Sequence, residues 1–349
     1  MILNFNFFHL FSQRKSQYPK IERLAKKLVK RKKVPGISIS VIKEDRLVYS
    51  KGLGYADLKN KIPVNPNETL FRIASVSKPI SAIGLAKAVL YKKIDLKESI
   101  YTYLPDYPKK KYDFTIEQIG ANIAGLRSYR GNEFINQKPL SIEEGIGIFK
   151  DDILEYEPGT KCVYTSFGWN LISLVLQKQL DLPFDKYIET EILKPINLNQ
   201  TIPDFNQDLS QKAVFYRKST FRRFREAKQV DNRHKLASGG YLSTSQDIAN
   251  FGKALLNNTL IPEDLQSTFT NSQFINGKKT YYGIGFESSL DHKGRVYYGH
   301  TGNGLGGYAI FRVYPNENIV ISILMNCSNP NQTRMLNKLV DGIFNDLEN

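Results

Sequence analysis

The chain has 349 residues, of which 41% are hydrophobic and 12% aromatic, the composition of a globular protein with a sizeable core. No run approaches the roughly 18 apolar residues that cross a bilayer; the longest candidate, residues 1–11, is broken by Asn4, Asn6 and His9. The formal net charge is +15, and the two cysteines, Cys162 and Cys327, allow one pairing at most and exclude a disulfide framework or a cysteine metal cluster.

The N-terminus is short for a secretory signal and lacks a charged start before its apolar stretch. Arg14, Lys15 and Lys20 precede the first acid, Glu22, as in a mitochondrial targeting segment. An untargeted N-terminus is the simpler reading, and the compartment stays open. Residues 20–33 hold eight basic side chains and one acid, so this segment supplies +7 of the total charge. Within it Ile21, Leu24, Ala25, Leu28 and Val29 recur at helical spacing, which predicts an amphipathic helix with a basic face. A second basic cluster runs through Arg217, Lys218, Arg222, Arg223, Arg225 and Lys228. Solvated surface is the simplest reading of both clusters. Peripheral contact with anionic lipid through the 20–33 helix is the sharper one. Nucleic acid is not expected, because no zinc spacing, basic zipper or aromatic RNA-binding motif accompanies the charge.

After Val34-Pro35-Gly36, a stop signal, residues 37–41 and 46–50 read as strands around a polar Lys43-Glu44-Asp45 turn. From Ser75 to about Tyr91 the pattern turns helical, with Ile80, Ile83, Ala86, Val89 and Leu90 near a 3.6 period. Residues 100–200 hold further helices between Pro-containing loops, 171–180 among them. Strand character returns over 281–286, 296–300, 308–313 and 319–325. A closing helix gathers Leu336, Leu339, Val340, Ile343, Phe344 and Leu347 on one stripe. The expected architecture is therefore α+β: an antiparallel sheet made of early and late strands, flanked by the terminal helices, with an inserted, mainly helical lobe. Residues 1–17 read as a flexible N-terminal segment and 18–349 as one domain. Its sheet lobe comes from 18–74 and 280–349, its helical lobe from about 75–279, and the cleft between them is where a ligand belongs.

Three short motifs could carry chemistry. Ser75-Val76-Ser77-Lys78 opens a helix, so Lys78 lies on the same face as Ser75 and can reach its hydroxyl, which unassisted is a poor nucleophile. The helix N-terminus adds N–H groups that favour developing negative charge. The spacing alone is weak, because Ser12 to Lys15 repeats it without context. Tyr164-Thr165-Ser166 precedes an apolar helix and on its own reads as a core tyrosine at a loop junction. Gly299-His300-Thr301-Gly302 ends a strand and on its own reads as a turn.

Together, in this order, a Ser-x-x-Lys, a Tyr-x-Ser and a His-Thr-Gly resemble the serine β-lactamases and penicillin-binding proteins. The likeness is to the class C-like branch, and within it to the mitochondrial-type serine β-lactamase-like proteins. It runs from about Val34 to Asn326, through Gly52-Leu53-Gly54-Tyr55-Ala56-Asp57, Leu70-Phe71-Arg72-Ile73-Ala74-Ser75, Tyr164-Thr165-Ser166-Phe167-Gly168-Trp169 and Ser238-Gly239-Gly240-Tyr241-Leu242-Ser243-Thr244. The resemblance implies a serine hydrolase in which Ser75 forms an acyl-enzyme and Lys78 and Tyr164 share the proton transfers. It places the oxyanion on the backbone N–H groups of Ser75 and Asn303, and lines the substrate site with Ser166, His300, Thr301, Gly302 and Asn303. It implies no cofactor.

Two departures point toward a peptidase or esterase rather than an antibiotic-hydrolysing enzyme. Ser166 stands where an asparagine amide is usual, and His300 where a lysine is usual. A histidine with an ordinary pKa near ~6.5 is mostly neutral at pH 7, so its hold on a substrate carboxylate should fade as pH rises. The competing reading is a catalytically weak or inactive scaffold of the same fold that forms homo-oligomers or lies on membranes. Gly302-Asn303-Gly304-Leu305-Gly306-Gly307 fits a dinucleotide fingerprint, but residues 308–313 are strand-like where that fingerprint needs a helix. His9, His234, His292 and His300 lie at no metal-binding spacing, and no metal is expected.

Overall fold

The structure is a computed structural model and describes residues 16–219 and 223–348. The expected N-terminal segment, His9 and Arg222 of the second basic cluster fall outside the described residues, apart from positions 16 and 17 of that segment. The first element is helix α1, Pro19–Lys30. Pro19 sits in its first turn, where a missing N–H costs nothing. Ile21, Ala25 and Leu28 form its buried stripe. The chain leaves the helix through Lys32 at φ +50, and the helix ends three residues before the basic run does.

Strand β1 (Gly36–Lys43) turns through Glu44 and Asp45, both at positive φ, into β2 (Arg46–Asp57), followed by the short β3 (Ile62–Pro63). Two consecutive positive-φ residues make the turn whose twist matches an antiparallel hairpin. The late strands are β4 (Glu287–Leu290), β5 (Val296–Gly304), β6 (Gly307–Tyr314) and β7 (Ile319–Met325). All seven form one antiparallel sheet in the order β4-β5-β6-β7-β1-β2-β3. Pairing β1 with β7, Ile39 opposite Ile323, joins the early and late segments.

Strand side chains alternate in direction, so one strand feeds two cores. Ile37, Ile39, Val41, Ile321, Ile323 and Met325 pack with α1 and the C-terminal helix on the back face. Ile42, Phe311, Val313, Val320 and Leu324 belong to the front core, which continues into the helical lobe. There, helix α2 (Ser77–Leu90) is apolar nearly all round and buried from residue 77 to 86; helix α3 (Phe167–Leu180) packs against it. Helix α4 (Ser245–Leu256) lies within the interval expected for the helical lobe but rests on the sheet. The Ser245 hydroxyl meets those of Ser38 (2.7 Å) and Ser40 (2.8 Å), and Gly252 lets the helix approach Val320, where a Cβ would stand 2.4 Å from a methyl. The last element, α5 (Thr333–Leu347), runs antiparallel to α1, whose first N–H groups at Lys20 and Ile21 bind the Asp346 carboxylate at 2.9 Å.

One expectation is corrected. Residues 281–286 are not a strand, and regular pairing begins only at Glu287. Tyr281 at φ +58 and Gly285 at φ +81 break the extension, and the N–H groups of Ile284 and Gly285 bind Phe269 and Gly120 carbonyls, so the segment stitches the sheet to the helical lobe. Cys162 and Cys327 do not pair; both are free, the first exposed and the second buried.

Candidate active site

The segment leading to Ser75 is held from two sides. Phe71 and Arg72 pair with Ser243 and Leu242, and the Arg72 guanidinium donates to Asp204 at 2.7 Å and to the Leu305 carbonyl at 3.0 Å. Arg72 and Asp204 are both buried, and Asn232 donates to the same Asp204 oxygen at 2.7 Å. Ala74 then adopts φ +47, a conformation that costs a non-glycine residue energy and survives only where the surroundings impose it. Ser75 follows in a single 3-10 turn, Ala74–Val76, that runs into α2. Its N–H lies in the first turn, where backbone donors lack a partner within the helix.

Lys78 is one turn along and fully buried. Its Nζ lies 3.1 Å from Ser75 Oγ, 3.3 Å from Ser166 Oγ and 2.6 Å from the Ser238 carbonyl, with the Tyr164 ring centroid at 4.9 Å. Burial disfavours the ammonium and lowers the Lys78 pKa to about 7, against a smaller opposing pull from Glu287. A neutral amine has two N–H bonds and one lone pair. The N–H groups suit the Ser238 carbonyl and the Ser166 hydroxyl, and the lone pair is left for the Ser75 proton.

The Tyr164 hydroxyl lies 2.7 Å from Ser75 Oγ, while one flank of its ring stays exposed. Burial around the hydroxyl raises its pKa well above the ordinary phenol value, so it is a proton donor at neutral pH. Ser75, Lys78, Tyr164 and Ser166 thus come together at one point.

The third motif sits on β5, opposite. Gly302 crosses the nucleophile segment so closely that a Cβ would stand 2.1 Å from the Ile73 carbonyl oxygen, which explains a glycine there. Thr301 is gripped by Glu287, through its N–H at 3.0 Å and its hydroxyl at 3.3 Å. Asn303 lines the same cavity as Ser75, and its side-chain oxygen accepts from the Asn329 N–H at 3.1 Å.

His300 departs from expectation. Its ring is buried, with 2% exposure. Nδ1 lies 2.8 Å from the Thr301 carbonyl, which can only accept, so Nδ1 carries the proton; Nε2, 3.0 Å from the Tyr282 hydroxyl, then accepts from it. Burial lowers the His300 pKa to about 4, despite Glu287 at 3.6 Å. His300 is therefore neutral from pH 6 to 9. The expected fading of a His300 charge across that range does not arise, because the ring is buried and both nitrogens are already bonded.

Sequence reasoning missed several residues here. Glu287 is one acid at the start of a strand, and Tyr282 lay in a segment read as strand; neither carried a signal. Lys235 lines the cavity wall with Ser75, donating to the Phe134 carbonyl at 2.8 Å, and burial lowers its pKa to about 8. In the sequence it is one more cation in Arg233-His234-Lys235. Ser238 belongs to a stretch singled out by resemblance, but its use of a backbone carbonyl is invisible in a side-chain reading.

Comparison with known proteins bears on the family and the fold. The beta-lactamase family profile matches residues 21–343. The human mitochondrial serine beta-lactamase-like protein LACTB is 24% identical over 81% of this chain and 69% of its own length. Among solved structures, D-amino acid amidase from Ochrobactrum anthropi SV3 superposes with a TM-score of 0.82 at 20% identity, covering 95% of this chain and 99% of that one. The octameric penicillin-binding protein homologue from Pyrococcus abyssi gives 0.78 at 24% identity, covering 89% and 73%. The chain belongs to the beta-lactamase family and has its serine-hydrolase fold.

Proposed function

We propose that the protein hydrolyses an ester or amide through an acyl-enzyme on Ser75, as a peptidase or esterase rather than an antibiotic-destroying β-lactamase. The observation that carries this is the convergence on Ser75 Oγ of a proton acceptor and a proton donor, Lys78 Nζ at 3.1 Å and the Tyr164 hydroxyl at 2.7 Å. Neutral Lys78 takes the Ser75 proton as the oxygen attacks the carbonyl carbon. The Tyr164 phenol gives its proton to the leaving oxygen or nitrogen and is reprotonated from the Lys78 ammonium. The oxyanion falls to the backbone N–H groups of Ser75 and Asn303. Water then attacks the ester, its proton goes to the same pair, and Ser75 is released. Thr301 and Gly302 form the opposite wall, Ser166 steadies Lys78, and His300 braces that wall from behind. No charged group of the third motif is left for a carboxylate, which favours neutral acyl donors.

The test is covalent labelling with a fluorophosphonate probe, followed by mass spectrometry of the digested protein. The adduct should sit on the peptide containing Ser75 and vanish in Ser75→Ala. No labelling of the folded parent, together with no turnover of p-nitrophenyl esters, would favour the inactive scaffold instead. Self-association is the corresponding proposal from the octameric archaeal neighbour, and light scattering of the full chain decides it.

A further inference from the structure

A large concave surface lies remote from Ser75. It is a groove of about 820 Å³ between α1 and α5, on the back of the sheet. Its rails are cationic: Lys20, Arg23 and Lys27 from α1 with Arg31 just past its end, and Arg334 and Lys338 from the first turns of α5. The spacing explains the alignment, since positions 20, 23, 27 and 31 share one helix face, as do 334 and 338. None of the six forms an ion pair among the described residues, whereas Lys26 and Lys51 pair with Glu22. The one acid lining the groove, Asp341, is held by Arg295 at 2.9 Å and His292 at 2.8 Å. The floor between the rails is apolar, with Leu24 and Met335 only partly buried.

We propose that this groove docks the protein on an anionic phospholipid surface, seating phosphate headgroups between the two cationic rails. Unpaired charge of one sign over an apolar floor complements an amphiphile that carries a phosphate next to hydrocarbon. A nucleic acid would gain stacking from aromatic side chains, and the groove has none. The attachment is electrostatic rather than inserted. The apolar stripe of α1, Ile21, Ala25 and Leu28, is already spent on the sheet, so the helix has no free face to bury in acyl chains. Because α1 and α5 cover the face opposite the nucleophile, a docked molecule keeps its catalytic cleft toward solution.

The test uses the full chain, phosphatidylcholine vesicles with or without about one third phosphatidylserine, and sedimentation to read the bound fraction. The parent should bind the anionic vesicles alone and be released as salt rises. The double variant Lys27→Glu/Arg334→Glu, with one reversal on each rail, should bind more than about tenfold more weakly. Lys92→Glu/Lys93→Glu, the same charge change at an exposed turn of the helical lobe, should bind within about twofold of the parent. Both should melt at the parent temperature. Equal losses in the two variants, equal binding to neutral vesicles, or no binding by the parent would overturn the proposal. So would a DNA duplex held as tightly as phosphatidylserine and lost with the same groove variant.

Discussion

The two walls of the candidate active-site cleft apply one physical effect to two titratable side chains and obtain opposite results. Lys78 on one wall and His300 on the other are both buried, and both feel the same carboxylate, Glu287. In each case loss of water is the largest influence and lowers the pKa. For a lysine, the fall from 10.5 to about 7 moves the group into the range where it can exchange protons with a substrate. For a histidine, the fall from 6.5 to about 4 takes it out of that range. In the proposed mechanism burial therefore fits Lys78 to act as a base and leaves His300 as a neutral brace. A titratable residue cannot be assigned a role from its identity without its surroundings.

The comparison breaks most visibly at the nucleophile-side wall. Ser75→Ala removes the proposed nucleophilic oxygen, which both partners face, and ester turnover should fall on the order of 10⁴-fold or more while thermal unfolding stays intact. Lys78→Met should lower kcat/KM by roughly 10²- to 10⁴-fold, the range for a lost acid–base group. It should also raise the melting temperature. The folded pKa is depressed, so the unfolded chain binds a proton at Lys78 that the native one lacks between about pH 7 and 10.5. Stability from this group therefore rises with pH across that window, and the full cost is present below it. Replacing the amine should stabilise the protein at pH 6.5 and do so less at pH 10, as read by melting curves at both. A lower melting temperature at pH 6.5 would show that the Ser238 contact outweighs the cost of burying charge.

Glu287 tests the shared carboxylate. Its removal in Glu287→Gln takes away an influence that raises the pKa of Lys78, so the acid limb of the kcat/KM profile should move to lower pH. The amide can still accept from Thr301 through its oxygen, which keeps the strand in place. A lower kcat/KM with an unmoved limb would reduce Glu287 to a structural clamp.

Much of the candidate site was legible because its groups cluster at short spacings. Ser75 and Lys78 sit one helical turn apart, and Tyr164-Thr165-Ser166 and His300-Thr301-Gly302 are contiguous, so local pattern finds them. The sheet was legible for the same reason: β1, β6 and β7 are runs of alternating or continuous apolar residues. What escaped depends on contacts distant in sequence. The depressed Lys78 pKa rests on burial, its Nζ is anchored on a carbonyl 160 residues away, and the bracing of Ser75 rests on Arg72 and Asp204, 132 apart. Residues 281–286 looked like a strand because their apolar alternation is real; Gly283 and Gly285 turn it into a stitch, since a Cβ on Gly283 would stand 2.2 Å from the Phe269 carbonyl. The basic helix was found with its apolar stripe, but whether that stripe was free for lipid or used by the sheet is a tertiary fact.

The smallest expected effect sharpens the comparison from the His300 side. If His300 is a neutral brace, then changing it should move rates without moving pH dependence. In His300→Gln the side-chain amide can donate toward the Thr301 carbonyl and accept from Tyr282, replacing the two bonds of the imidazole at similar reach. The loss in kcat/KM for a neutral ester should then be modest, about threefold to tenfold, from a looser fit of Thr301 against Glu287. The profile between pH 6 and 9 should keep the parent's shape, because the parent histidine carries no charge there to lose. His300→Ala should cost more in rate, since it leaves the Tyr282 hydroxyl and the Thr301 carbonyl without their partner, yet its profile should be equally unmoved. The measurement is kcat/KM for a neutral ester in half-unit steps across that range, in parent and both variants. An acid limb present in the parent and absent from both variants would mean that His300 titrates after all, and that the buried wall opens to water during turnover.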